Sequence, residues 1–289
     1  MVEAPAAAPS GRNARRAMAR LGRNRAAVAG LIVIAALVIA AIFGPLLAPY
    51  DPYRVTLEGR LQPPGGAHLL GTDELGRDIL SRLLYGARVT LWVGIVTVAL
   101  AGTIGVIGGV AAGYLGGYWD ALIMRLVDVF LAFPVIILAI AIVAVRGPGL
   151  TNVLIALALV YWTSYARVAR SVVLTLREEE YTWAARTLGA GPIRIMLRHL
   201  LPNAVGPLIV LASLGMGNAI LAEAALSFLG LGIQPPEASW GSMLNFGMQF
   251  LRDASFLSTT PGLAIFVTVL GFNLLGDGLR DALDPRLRT

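Results

Sequence analysis

Long apolar segments alternate with polar ones along most of the chain. The first, from Ala26 to Ala48, contains no charged residue. In a helix that rises about 1.5 Å per residue, such a segment crosses a hydrocarbon core about 30 Å thick. The pattern predicts six membrane-spanning helices, at residues 26–48, 89–115, 122–145, 150–166, 204–229 and 256–275. The chain is therefore predicted to be an all-α integral membrane protein.

Polar segments divide the chain into regions. These are a basic tail, the first span, a long loop, a membrane core and a second tail, at residues 1–25, 26–48, 49–88, 89–280 and 281–289. The long loop closes with apolar residues at helical spacing, from Ile79 to Leu84, after Gly and Pro breakers. This pattern favours an interfacial helix leading into the second span over a ligand site.

Glycines recur every fourth residue in and just after the second span, at positions 105, 109, 113 and 117. Small residues at this spacing let two helices approach closely. We therefore expect this face to pack against another helix, either within the chain or across a dimer.

The segment from Arg177 to Asn203 carries charge between two spans, and its pattern predicts two short helices. Glutamates 178–180 suit a helix N-terminus, and Gly189 suits a left-handed C-cap. Pro192 suits the first position of the second helix, and Pro202 is predicted to end it. The pair could be an amphipathic linker on the membrane surface. It could equally be bound by another protein, whose backbone would approach the alanines at the centre of the pair.

Composition narrows the classes of function. Of 289 residues, 57% are hydrophobic and 14% are charged, which is unlike a soluble globular domain. There is no cysteine, and the two histidines, His68 and His199, lie outside the spans, so neither a metal site nor histidine-based catalysis in the membrane is expected. All 23 basic residues are arginine, and a standard P-loop needs a lysine, so an ATP-driven role requires a separate ATPase. We assign no catalytic, cofactor-binding or metal residue.

The arginines also predict orientation. They lie at the ends of apolar segments, which suits lipid headgroups better than nucleic acid despite the net charge of +6. They are concentrated in the N-terminal tail, in residues 167–203 and in the C-terminal tail, whereas acids largely offset those on the other side. The positive-inside rule then predicts that both termini and the 177–203 loop are cytoplasmic.

The 177–203 segment resembles the cytoplasmic coupling loop, or EAA loop, of permease subunits of bacterial ABC importers. Ala184-Ala185, Gly189 and Leu201-Pro202 match the register of that loop, while Trp183 and His199 differ from it. The C-type permeases of the dipeptide, oligopeptide and nickel importers are more similar still. The residues that carry this second similarity are Glu180, Tyr181, Ala184, Ala185, Arg186, Arg198 and His199.

Further stretches similar to the same subfamily lie at residues 71–78, 226–232, 276–281 and 284–286. The resemblance implies a type I ABC importer permease fold in the bacterial cytoplasmic membrane. It also implies a sister permease in a heterodimer, two ATPase subunits that bind ATP and Mg²⁺, and an extracytoplasmic substrate-binding protein. The residues that would couple to the ATPase are Glu180, Tyr181, Ala184, Ala185, Arg186, Gly189, Arg198 and Pro202. Peptide and nickel importers share the pattern, and the lack of a nickel-ligand cluster favours di- and oligopeptides.

Two acidic residues, Asp128 and Glu223, lie inside predicted spans. Because a charge at the bilayer centre costs at least ~2.5–3.5 kcal/mol on insertion scales, each needs a partner, water or a proton. With Asn273 they are candidates for a translocation path or gate. A structural contact with headgroup water or Arg125 is favoured for Asp128, and both interpretations stay open for Glu223. A self-contained secondary transporter that uses these acids as proton sites is the less favoured alternative.

Overall fold

The computed structural model describes residues 18–283, and in that range the chain forms helices and loops but no β-strand. In chain order the helices are α1 (Arg25–Leu47), α2 (Ile79–Leu115), α3 (Gly117–Leu131), α4 (Val135–Arg146), α5 (Leu150–Leu176), α6 (Glu180–Thr187), α7 (Pro192–Ile195), α8 (Leu201–Phe228), α9 (Trp240–Met248) and α10 (Phe256–Leu283). The all-α prediction is confirmed. Most of the predicted basic tail and the similar stretch at 284–286 lie outside the described residues.

Among residues 18–283, five helical segments are long and apolar enough to span a membrane, or six if the bent pair of α3 and α4 counts as one span. The axes of α3 and α4 differ by 87°, so the span predicted at 122–145 is made of two helices rather than one. Pro134 precedes the first residue of α4 and has no N–H to continue the hydrogen bonding of α3. The helix therefore breaks at Pro134.

The interfacial helix predicted to lead into the second span is continuous with it. The two form one helix, α2, which begins at Ile79 and continues to Leu115. Asp78 caps it, because its carboxylate accepts a hydrogen bond from the Ser81 N–H at 2.8 Å.

The bundle is organised around α2 and α5, which run parallel. The α2 glycines 105, 109 and 113 lie directly against the α5 backbone near residues 162, 166 and 170. A Cβ at Gly109 would collide with the carbonyl oxygen of Ala166. The small residues thus allow close packing within the chain, one of the two alternatives for this face, while Gly117 begins α3 instead.

One end of the bundle, here called the loop end, gathers the polar loops at 48–78 and 229–255. Trp240 of α9, in the second loop, donates from Nε1 to the carbonyl oxygen of Leu83 at 2.9 Å, which joins that loop to the first turns of α2. Within the first loop, the buried Asp73 carboxylate accepts from Arg77 Nε at 2.7 Å and lies 3.5 Å from Arg82 Nε. The opposite end carries residues 177–203, which we call the elbow.

Candidate functional site

The elbow is anchored to the ends of α2 and α5 by apolar side chains. Ala185, Ile195 and Leu200 point inward and form one buried cluster with Val110 of α2 and Val173 of α5. Each of these side chains is almost fully removed from solvent. Burial of this apolar surface stabilises one position of the elbow relative to the spans.

Polar contacts reinforce that position. Arg177 donates from an Nη atom to the carbonyl oxygen of Gly113 at 3.0 Å. Thr182 donates from Oγ1 to the carbonyl oxygen of Leu176 at 2.8 Å, and the Arg186 guanidinium lies 5.1 Å from the centroid of the Tyr114 ring. A displacement of the elbow would therefore be passed to the ends of α2 and α5.

The corner between α6 and α7 follows the sequence prediction. Gly189 has a φ of +79°, and the Ala190 N–H donates to the carbonyl oxygen of Ala185 at 3.0 Å. Pro192 occupies the first position of α7, where its missing N–H costs nothing. Both the glycine cap and the proline start are confirmed.

The prediction that Pro202 ends the second helix is wrong. A π-helical turn at Met196–Leu200 joins α7 to α8, and the helical segment continues from Pro192 to Phe228. In this turn the Leu201 N–H bonds to the carbonyl oxygen of Met196, and the Asn203 side-chain amide donates to His199 at 2.6 Å. Such local changes satisfy backbone groups that a proline leaves free. The second arm of the elbow is therefore continuous with a membrane-spanning helix.

Four large apolar side chains of the elbow are exposed, and together we call them the apolar ridge. Its members are Trp183, Leu188, Ile193 and Leu197, which are 52%, 87%, 69% and 59% exposed. Exposed apolar side chains grouped in this way are typical of a protein or membrane contact. Exposed Arg194 and Arg198 lie beside the ridge on the second arm.

The predicted coupling residues all lie in the elbow but differ in accessibility. Five of them are exposed: Glu180, Ala184, Gly189, Arg198 and Pro202. Two are half-buried, Tyr181 and Arg186, and Ala185 is buried. Both alanines were expected to allow a partner's close approach, yet only Ala184 is on the surface. Burial raises the pKa of Tyr181 above its ordinary value.

The three candidate path residues occupy different environments. Asp128 pairs with Arg167 of α5 at 3.0 Å rather than with Arg125, and both side chains of the pair are exposed. Glu223 is buried near the loop end of α8, where Ser227 donates to it at 2.6 Å. Asn273 is half-buried beside Gly217 of α8.

Sequence reasoning missed the cross-helix ion pairs. Besides Asp128–Arg167, the α3 residue Asp120 accepts two hydrogen bonds from the Arg170 guanidinium, at 2.5 and 2.6 Å. The partners are 39 and 50 positions apart, so no local spacing indicates them. Only the packing of α3 across α5 brings them together.

Comparison with known proteins decides the family. The model described as "Binding-protein-dependent transport system inner membrane component" matches residues 105–289, which is more than half of the chain. The chain belongs to this family. A second model, "N-terminal TM domain of oligopeptide transport permease C", matches residues 13–64 of the permease. The predicted family and the placement in the membrane are confirmed.

Similar proteins align along almost the entire permease. A dipeptide transport system permease protein DppC of Alkalihalophilus pseudofirmus is 48% identical over 275 residues, which are 95% of this chain and 90% of the relative. The Escherichia coli protein with the same description is 50% identical over 272 residues, or 92% and 91% of the two chains. A putative peptide transport system permease protein of Brucella abortus is 46% identical over 93% and 90%.

The solved structures of an inward-facing methionine ABC transporter, MetNI, contain a similar chain. One aligns with a TM-score of 0.56 and 21% identity over 70% of this permease and 96% of that chain. A second crystal form gives a TM-score of 0.58. The predicted ABC importer permease fold is confirmed.

Proposed function

We propose that this permease is the C-type subunit of an ATP-driven importer of di- and oligopeptides and forms half of its translocation path. The observation that carries the proposal is the similarity, over nine-tenths or more of both chains, to proteins described as dipeptide transport permeases. ATP hydrolysis belongs to separate subunits that bind ATP and Mg²⁺, because the chain contains no lysine for a standard P-loop.

The elbow is the segment that docks on the ATPase. Three features support this role: an exposed apolar ridge, a buried anchor on α2 and α5, and helical continuity with α8. A nucleotide-dependent movement of the ATPase then changes the relative populations of two arrangements of the spans. The elbow transmits that change because its buried side holds it to the spans.

The complete importer contains this chain, a sister permease, two ATPase subunits and an extracytoplasmic substrate-binding protein. In this assembly the termini and the elbow are cytoplasmic. The dense arginines of residues 167–203 support that orientation through the positive-inside rule. The loop end then faces outward, towards the binding protein.

Charge placed on the ridge tests the docking role. In the assembled importer, we expect Leu188→Asp or Ile193→Asp to abolish copurification of the ATPase and ATP-dependent dipeptide uptake into proteoliposomes, since each puts a carboxylate into an apolar contact. Leu69→Asp is the matched control, because Leu69 is also an exposed leucine, at 66%, but lies at the loop end. Its ATPase should copurify normally. Normal uptake by both ridge variants would contradict the docking role.

Uptake by the unaltered importer tests the substrate. We expect labelled dipeptide to enter proteoliposomes only with ATP and the binding protein, and excess unlabelled peptide, but not Ni²⁺, to compete. Uptake of dipeptide by this chain alone without ATP would instead favour a secondary transporter.

A further inference from the structure

A polar stripe runs along one exposed face of α5. Its members are Ser164, Arg167, Ser171 and Thr175. They are three or four residues apart and therefore lie on one side of the helix. All four are exposed, so none is covered by the part of the chain that the structure describes.

The stripe reaches the middle of the bundle. Tyr161, one turn further from the elbow, donates from its hydroxyl to the carbonyl oxygen of Asn218 at 3.2 Å. Asn218 is an exposed residue in the second half of α8. From Thr175 to Tyr161 the polar surface extends ~21 Å along α5. Tyr161 and Ser164 lie inside the span predicted at residues 150–166, whereas Arg167, Ser171 and Thr175 follow it towards the elbow.

Asp128 adds a second charge to this face. Its carboxylate lies 3.0 Å from Arg167, with side chains 63% and 58% exposed. The neighbouring pair between the same two helices is different: Asp120 and Arg170 are 22% and 31% exposed and share two hydrogen bonds. The Asp120–Arg170 pair holds α3 against α5, whereas the Asp128–Arg167 pair exposes its charges.

Lipid does not suit such a face. Polar and charged side chains within spans face protein or water because hydrocarbon cannot solvate them. Elsewhere the spans expose apolar side chains, such as Ile32 and Ile39 of α1 and Ile95 and Ile104 of α2. Charged side chains are also depleted from the cores of protein interfaces, so a hydrated surface fits better than a contact with another permease.

We propose that the α5 stripe lines the hydrated translocation path on its elbow side, and that Asp128 and Arg167 are the charged groups that a peptide meets there. The proposal deepens the proposed function and rests on it for the identity of the substrate. A peptide with free termini carries an ammonium and a carboxylate, which complement the carboxylate of Asp128 and the guanidinium of Arg167. An exposed ion pair is held weakly and can exchange partners with a passing zwitterion.

The absence of cysteine from the sequence allows a direct test of the path. Single variants Ser164→Cys and Ser171→Cys are compared with Ile95→Cys, an exposed apolar position on α2, in the complete importer in nanodiscs. The probe is a charged, membrane-impermeant methanethiosulfonate, which reacts with the thiolate and so requires water. We expect both stripe positions to react at least ~10-fold faster than Ile95→Cys. Reaction of Ser164→Cys as slow as that of Ile95→Cys would overturn the proposal, whether lipid or the sister permease covers the site.

The ion pair has its own test, with Asp120→Asn as the matched variant. At saturating binding protein, we expect Asp128→Asn to lower the maximal rate of dipeptide uptake several-fold without changing thermal stability or ATPase copurification. Asp120→Asn should lower thermal stability, because it removes the ion pair with Arg170 that holds α3 against α5. An unchanged maximal rate for Asp128→Asn would exclude the pair from the path. Thiol labelling requires no transport, so a failed peptide assay refutes the proposed substrate and leaves the labelling result to decide the path.

Discussion

Gly189 forms the corner of the elbow with a φ of +79°. Apart from its chain neighbours, no atom of residues 18–283 lies within 4 Å of the position that a Cβ would take. The glycine is thus required by backbone conformation rather than by space. A non-glycine residue in the left-handed region is strained by roughly 1–2 kcal/mol. Gly191 provides the comparison, because it has an ordinary φ of −67° and equally open surroundings.

We expect Gly189→Ala to lower dipeptide uptake by loosening the corner while membrane insertion is retained. Gly191→Ala should transport at the original rate. Uptake in proteoliposomes and limited proteolysis of the elbow measure the two effects. Equal uptake by the two variants would show that the corner does not require a glycine in the left-handed backbone conformation at position 189.

The sequence predicts the roles of some single residues, whereas the roles of others depend on packing. The roles of Gly189 and Pro192 follow from their own backbone preferences, so the sequence predicts them. Ala184 and Ala185 are chemically identical, and only the packing of α6 on α2 and α5 determines which one is buried. Pro202 was misjudged because the π turn before it removes the conflict that a proline creates in a regular helix.

Among the elements, the contact between α2 and α5 holds the bundle together and carries the elbow at its end. A Cβ at Gly109 would meet the Ala166 carbonyl and, at 2.8 Å, the Ala169 Cβ. One at Gly102 would lie 3.7 Å from the Tyr165 ring, which is ordinary van der Waals contact.

We therefore expect Gly109→Val to lower the thermal unfolding temperature of the purified importer. Overpacking costs about 1–3 kcal/mol, and here the added side chain would meet the backbone of α5, which cannot move aside as a side chain can. Gly102→Ala should leave the unfolding temperature unchanged. A thermal shift measurement distinguishes them. Equal unfolding temperatures would indicate that the helices separate more easily than their contacts suggest.

The elements were largely predictable, because apolar length alone identifies a membrane span. The glycine spacing predicted a close helix contact, but not that α5 is the partner. The bend between α3 and α4 was not predicted, since a proline within a span is compatible with either a mild kink or a break. How far the chain turns at Pro134 depends on the helices that pack around it.

At the scale of the whole molecule, the permease has two ends with different tasks. At the loop end, buried Asp73 pairs with Arg77 in the first loop and with Arg82 of α2, and α9 bonds to α2 through Trp240. The elbow end instead exposes an apolar ridge on a buried anchor. This asymmetry fits a subunit that receives substrate on one side and is driven by an ATPase on the other. We propose that the exposed ridge of the elbow contacts that ATPase.

The most direct measurement is crosslinking from Leu188, the most exposed residue of the ridge at 87%. A photoreactive side chain replaces Leu188 in the complete importer, reconstituted in lipid, and the crosslinked products are identified by mass spectrometry. We expect a covalent product with an ATPase subunit, with a yield that changes when ATP is added. Products with lipid alone, from an importer that still transports, would contradict the proposed contact.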